Sequence, residues 1–191
     1  MKKFLKIVFF VLVILLVTSC GGKYMIKQDP ISKPEPGKAL VNFVRPSFFG
    51  KAVRVSLWDG DKLVGISYGK QAFQYECDPG NHLFIAWSEY KSPVEAELLP
   101  DHAYYIVLQI RMGVWRGRIH QVPVNKHHEL WAQALEWQKT LPNFTFDRST
   151  LAAMESENKQ KIDEYLTYYG NEVKGTKHML VLRPEDGVPI E

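Results

Sequence analysis

The chain has 191 residues, with 24 lysines and arginines against 21 aspartates and glutamates, which gives a formal net charge of +3. The first 19 residues contain three lysines and no acidic residue, so the other 172 (191 minus 19) have no net charge and do not indicate a nucleic-acid partner. A segment of this length is sufficient for one domain with a hydrophobic core of its own.

The first 19 residues have the layout of a secretory signal peptide. Residues 1–6 are short and basic, residues 7–17 form an apolar run without a charge, and small residues follow. As a helix, such a run spans only about 16 Å, whereas the hydrocarbon core of a bilayer is about 30 Å thick. The pattern therefore predicts a cleaved signal peptide over residues 1–19 and not a transmembrane helix.

The end of this signal carries a second pattern, Val17-Thr18-Ser19-Cys20. It resembles the bacterial lipobox, in which an aliphatic residue and two small residues precede a cysteine. The resemblance implies cleavage before Cys20, transfer of a diacylglycerol to its thiol, and stable anchoring by two or three acyl chains. Because Gly21 stands where an aspartate would suggest inner-membrane retention, the resemblance implies the periplasmic side of the outer membrane, with a Gram-positive cell surface left open. The alternative is an ordinary signal peptide whose exit happens to contain a cysteine.

Residues 20–38 are predicted to be the lipidated cysteine and a flexible tether. The stretch is rich in glycine and proline and would span roughly 20–25 Å as a coil. Once Cys20 is acylated, Cys77 has no partner for a disulfide within the chain. We expect Cys77 to be a small buried residue and the fold to depend on its core.

Residues 39–124 contain short apolar runs between turn residues, which predict an antiparallel β-sandwich of about seven to eight strands. Asp59-Gly60 favours a type I′ hairpin turn with positive φ at both central positions, and Pro79-Gly80 favours a type II turn. Alternating or continuous apolar residues predict strands over 39–45, 53–58, 63–67, 73–77, 83–87, 94–98, 103–110 and 118–124.

Residues 125–191 are predicted to be a helical C-terminal extension packed on the sandwich. Helices are predicted over 129–139 and over 147–169, the second capped by Asp147 or Ser149 and ended by Gly170. Residues 179–182 predict a final strand or an extended tail. The apolar stripe of the second helix is typical of a face packed on a core; it consists of Leu151, Met154, Ile162, Tyr165, Leu166 and Tyr169.

Gly65-Ile66-Ser67-Tyr68-Gly69 matches the Gly-x-Ser-x-Gly nucleophile elbow of α/β-hydrolases. The elbow needs a strand before the serine and a helix after it. Here the residues after Gly69 predict another strand, and no helix is predicted before residue 125. The end of a hairpin is therefore the leading interpretation, and a hydrolase that uses Ser67 is the alternative.

Two other segments carry polar side chains. The His-His-Glu segment at 127–129 does not have the spacing of a zinc site, and solvated histidines near the start of a helix are expected there. The Trp-Arg-Gly-Arg segment at 115–118, with His120, combines an aromatic ring with cations. It is interpreted as a loop whose arginine stems lie along the surface, with contact to an anionic polymer or a lipid head group as the alternative.

Four segments carry a further resemblance: Lys38-Ala39-Leu40-Val41 with Arg45-Pro46, Trp58-Asp59-Gly60-Asp61-Lys62-Leu63-Val64-Gly65, Tyr75-Glu76-Cys77-Asp78-Pro79-Gly80-Asn81-His82 and Tyr104-Tyr105-Ile106-Val107. With them, residues 39–110 resemble a family of small, uncharacterised bacterial lipoproteins that share a domain of unknown function. The order of a hairpin followed by Pro-Gly is also similar to the small PEGA-type surface β-domains. The resemblance implies a β-sandwich and brings no catalytic residue with it.

These patterns predict a membrane-anchored bacterial envelope lipoprotein with a structural or protein-binding role and no enzymatic activity. No cofactor, metal or nucleic acid is expected; the expected partners are the membrane, through the lipid on Cys20, and an envelope protein. One alternative is the hydrolase that uses Ser67. The other is a module that binds carbohydrate or lipid, for which Trp58, Trp115 or Trp137 would have to be exposed in one concave patch.

Overall fold

A computed structural model describes residues 25–47, 53–112, 117–146, 148–177 and 179–190. The described residues are mainly β, with two mixed sheets and helices in the C-terminal third. The helices are α1 (Trp131–Thr140) and α2 (Arg148–Tyr168), and α2 continues into a π-helical turn over Tyr169–Val173. The strands are β1 (Met25–Lys27), β2 (Ala39–Arg45), β3 (Val55–Asp59), β4 (Lys62–Ser67), β5 (Gln71–Cys77), β6 (Gly80–Trp87), β7 (Lys91–Leu98), β8 (His102–Met112), β9 (Gly117–Val124), β10 (Asn143–Phe146), β11 (Leu180–Leu182) and β12 (Val188–Pro189).

The first sheet has the order β1-β10-β5-β2-β8, and β8 pairs along its other side with β9 and β12. Every residue of β2 is buried, as expected for a central strand covered on both faces. The second sheet has the order β11-β7-β6-β3-β4. The chain passes back and forth between the two sheets from β2 to β8, so each sheet is assembled from segments distant in sequence.

One hydrophobic cluster draws residues from both sheets. Phe43 of the first sheet stacks on Phe73 and meets Phe84 of the second sheet edge to face, with ring centroids 6.0 and 5.6 Å apart. Burial of each such ring stabilises the fold by about 1.5–3 kcal/mol. This shared cluster is the centre of the core.

Each helix covers the outer face of one sheet. Ala134 of α1 packs with Val44, Val107 and Val124 of the first sheet. The predicted apolar stripe of α2 packs on the second sheet around Trp58, where Leu151, Met154 and Ile162 are buried and Tyr165 and Leu166 are partly buried. The interpretation of the stripe as a packing face is therefore confirmed.

The prediction that the sheets are antiparallel is wrong, because both are mixed. β2 pairs in parallel with β8, β10 with β5, and β11 with β7. The first of these pairs arises because the chain leaves the first sheet after β5 and returns as β8 on the other side of β2. The other two arise because strands from the C-terminal region join existing sheet edges.

The C-terminal region is also more than a helical extension. Besides α1 and α2 it supplies β10 and β12 to the first sheet and β11 to the second. Gly170 does not end the long helix; the chain continues through the π-helical turn, and a glycine with positive φ, Gly175 at 76°, follows it.

The β3–β4 turn differs from the predicted type. Asp59 pairs with Lys62, so the two central residues are Gly60 and Asp61. Gly60 has a φ of 58° and Asp61 does not have a positive φ, which fits a type II′ turn and not type I′. The positive φ expected at Gly80 is present, at 117°.

Candidate functional site

The predicted signal peptide and the predicted lipidation site at Cys20 lie outside the described residues, which begin at Met25. Among the residues that the structure covers, no helix has both the length and the apolar character needed to cross a bilayer.

The segment expected to be a tether is attached to the domain from Met25 onward. β1 pairs antiparallel with β10, and the backbone N–H and C=O of Ile31 are both bound by the side chain of Gln74, at 2.5 and 3.0 Å. Gln74 is itself buried and hydrogen-bonded to Asn42 and Asn143. This buried amide network holds the segment on the domain. Since β1 starts at Met25, only residues 21–24 separate the predicted lipid site from the first strand.

Ser67 is the last residue of β4 and is only 1% exposed. Its Oγ has no hydrogen-bond partner among the described residues, and its carbonyl accepts a hydrogen bond from Arg45 at 3.1 Å. A strand and not a helix follows, because β5 starts at Gln71. Ser67 therefore ends the β3–β4 hairpin, as the hairpin interpretation expected, and the chain then crosses to the first sheet as β5. The serine is not presented to a substrate.

Side chains of Asn125 and His128 bind the backbone before α1. The backbone N–H of His127 donates to Asn125 Oδ1 at 3.0 Å, and Nδ1 of His128 accepts from the N–H of Leu130 at 3.1 Å. Within the described ranges, no three His, Cys, Asp or Glu side chains come together as a possible metal site.

His82 is held between two acceptors. Its Nδ1 lies 2.8 Å from Asp59 Oδ2 and its Nε2 lies 2.8 Å from the carbonyl oxygen of Asp78, while its ring stacks on Phe84. Both partners are hydrogen-bond acceptors, so the imidazolium form, in which both ring nitrogens donate, satisfies both contacts. The hydrogen bond to Asp59 raises the pKa of His82. With both nitrogens engaged, His82 links two turns of the fold and has no free nitrogen for general-base catalysis.

Trp58 and Trp137, the described members of the predicted tryptophan set, do not form the patch that a carbohydrate-binding surface would need. Trp58 is 1% exposed and packs under α2, whereas Trp137 is partly buried with α1 on the other sheet. Trp115 lies outside the described residues. The described members of the predicted set are therefore neither exposed nor adjacent.

Cys77 is a buried thiol, as predicted. Its Sγ lies 3.9 Å from the carbonyl oxygen of Ala39. Burial, with a smaller contribution from the charge of Asp59, raises its pKa to about 12. The thiol is protonated at physiological pH and is not available as a nucleophile.

Two arginines and a histidine lie on one face of the β8–β9 hairpin. Arg111 and Arg118 are directly opposite each other in the ladder, and His120 follows on the same face of β9. The guanidinium of Arg118 lies 4.5 Å from the ring centroid of Tyr90, which is 48% exposed. Burial, together with the charges of Arg111 and Arg118, lowers the pKa of His120. We call Arg111 and Arg118 the arginine pair.

A groove of about 330 Å³ is lined by Arg118, the member of this pair that belongs to β9. Its walls are formed by residues 90–93, by 118–120 of β9, and by Val173, Thr176, Met179 and Leu180. Its described lining contains three basic side chains and no acidic one. The ammonium of one of them, Lys91, lies over the rings of Trp87 and Tyr165, at 4.2 and 4.9 Å from their centroids.

Sequence reasoning identified Arg118 and His120 as a cationic segment, whereas Trp115 and Arg116 lie outside the described residues. It did not identify Tyr90 or Leu180, because nothing in the local sequence indicates that they meet β9. Comparison of the chain with models of protein families, with curated proteins and with solved structures finds no match in any of the three.

Proposed function

We propose that this chain is a lipid-anchored protein of the bacterial envelope, attached through Cys20, with a protein-binding role and no enzymatic activity. The observation that carries the proposal is the order of a basic start, an apolar run too short to span a bilayer, and Val17-Thr18-Ser19-Cys20. The outer membrane, facing the periplasm, is the location that we infer from Gly21.

The attachment of the N-terminal segment defines how close the domain would lie to its anchor. From Cys20 to Met25 there are five Cα–Cα steps, which reach at most about 18 Å. A domain attached from Met25 would therefore lie close to the lipid surface, instead of standing off on the coil of 20–38 that composition suggested.

The polar side chains support a role in binding more than in catalysis. Ser67 is buried, His82 has both nitrogens engaged, and the thiol of Cys77 is protonated. By contrast, Arg118 and Tyr90 line an accessible groove, and Arg111 lies opposite Arg118 in the β8–β9 ladder. The same proposal describes the two sheets as the layers of a sandwich, supported by the cluster that they share.

Metabolic labelling tests the anchor. Cells that express the full chain are grown with an alkyne analogue of palmitate, and the protein is then isolated and coupled to a fluorophore. We expect Cys20→Ser to lose the label and to release the domain from membranes, because it removes the thiol that takes the lipid.

Cys77→Ala is the matched control, since it removes the other cysteine from a buried site and is expected to keep the label. Label on Cys20→Ser, or a Cys20→Ser protein that stays in the membrane with its N-terminus intact, would contradict the proposal.

A further inference from the structure

The arginine pair is an unfavourable arrangement for the isolated fold. Like charges directly opposite in an antiparallel ladder destabilise it. Among the described residues, neither guanidinium forms an ion pair: Arg111 donates to Gln109 at 3.4 Å, and Arg118 lies over Tyr90. An anionic group that bound both guanidinium groups would remove this repulsion.

The groove beside the pair also offers apolar surface and a strand edge. Leu180 is 42% exposed at the start of β11, and the partly buried Met179 lines the groove beside it. β11 is the terminal strand of the second sheet, and no described strand pairs with its outer edge. The backbone N–H and C=O groups on such an edge can pair with the backbone of another polypeptide. A lipid head group or a free phosphate cannot form this ladder of hydrogen bonds.

The position of the groove also favours a polypeptide over the anchoring membrane. β1, the strand nearest to Cys20, and β9 lie at opposite ends of the path β1-β10-β5-β2-β8-β9. Five inter-strand spacings of about 4.8 Å separate them by about 24 Å across the sheet. The arginine pair thus lies at the end of the first sheet remote from the predicted anchor.

We propose that this groove binds an extended acidic segment of an envelope protein, whose carboxylates are received by Arg111 and Arg118 and whose backbone pairs with the free edge of β11. The inference rests on the protein-binding role proposed above and names the chemistry of the partner. Tyr90 and Leu180 then contact apolar side chains that alternate with the acidic ones in the bound strand.

Fluorescence anisotropy tests the inference on the full lipidated chain in a non-ionic detergent. The probe is a fluorescein-labelled peptide of about ten residues that alternates glutamate and valine, which is the upper end of the usual length of a strand. We expect it to bind, and a lysine-valine peptide of equal length not to bind. We expect Arg118→Gln to weaken binding of the glutamate-valine peptide by about tenfold and Arg118→Glu to weaken it further.

Arg54→Gln is the matched control, since Arg54 is exposed, precedes β3 and lies outside the groove; the affinity of this variant should equal that of the unmodified protein. A thermal melt of each variant shows that it is folded. Equal binding of both peptides, unchanged affinity in both Arg118 variants, or binding only to phosphatidylglycerol vesicles and to neither peptide would overturn the inference.

The two proposals fail separately. A protein that carries the palmitate label and does not bind the glutamate-valine peptide contradicts only the groove. A protein that binds the peptide and carries no label contradicts only the anchor.

Discussion

Replacing Gly187 by alanine places a methyl group against the buried ring of Tyr104. The φ and ψ of Gly187 are −72° and 150°, which any residue adopts, so the glycine is required by space and not by backbone conformation. A Cβ at this position would lie 2.6 Å from Cζ and 2.8 Å from the hydroxyl oxygen of Tyr104. These are distances at which either the ring or the backbone of Gly187 must move.

The ring has little freedom to move. Tyr104 is fully buried, its hydroxyl accepts from the N–H of Leu99 at 2.9 Å, and it donates to the carbonyl of Pro184 at 3.3 Å. Relief of the contact must disrupt these hydrogen bonds or displace β12 from β8. Overpacking of this kind costs about 1–3 kcal/mol. For a protein of this size, the melting temperature should fall by about 3–10 °C.

Urea unfolding followed by tryptophan fluorescence measures the change in the free energy of unfolding. Gly170→Ala is the matched control, because no atom outside the adjoining helical backbone lies within 4 Å of a Cβ built there. Alanine in that helical turn should leave stability unchanged or raise it by up to about 1 kcal/mol. If Gly187→Ala unfolds at the same urea concentration as Gly170→Ala, the close approach to Tyr104 does not constrain the fold and the reasoning is refuted.

Two further predictions concern titratable groups. The pKa of His82 is raised in the folded protein, so its stabilisation is complete below the unfolded pKa of about 6.5 and is lost as the pH rises through the folded pKa. Urea unfolding from about pH 6 to about pH 9 should therefore show a larger loss of stability in the unmodified protein than in His82→Asn, in which the titrating ring is absent; parallel profiles would contradict the link to Asp59. The pKa of the Cys77 thiol is raised to about 12, so it should not react with a disulfide reagent at about pH 8 while the lipidated protein is folded. After the protein is unfolded in urea, the thiol should react with one equivalent of the reagent. Rapid labelling of Cys77 without urea would show that the site opens.

Local patterns predicted most of the long strands well. The run at 39–45 coincides with β2, and the runs at 63–67 and 118–124 match β4 and β9 to within one residue. These segments are apolar and bounded by turn residues, so their conformation follows from nearby sequence. Of the four shortest strands, β11 falls within the run at 179–182, for which a strand or an extended tail is predicted. The other three, β1, β10 and β12, were not predicted, because two to four residues form a strand only when a neighbour offers an edge.

Part of the candidate site was also predictable from local sequence, and part was not. Arg118 and His120 are visible as a cationic segment, and the alternation of a strand places them on one face. The opposition of Arg111 and Arg118 depends on the register of the β8–β9 hairpin, and the contact with Tyr90 depends on how the second sheet lies against that hairpin. Neither is a property of local sequence.

The sequence by itself determined the quantities that depend on neighbouring residues: an apolar run too short for a bilayer, a neutral chain after its first 19 residues, the long strands and the packing face of α2. Only the tertiary structure decided the parallel pairing of β2 with β8, the attachment of residues 25–31 through Gln74, the burial of Ser67 and the assembly of the groove. Each of these brings together segments tens of residues apart. Their contacts form because the whole chain must bury its apolar surface and satisfy its backbone at once, which no local pattern encodes.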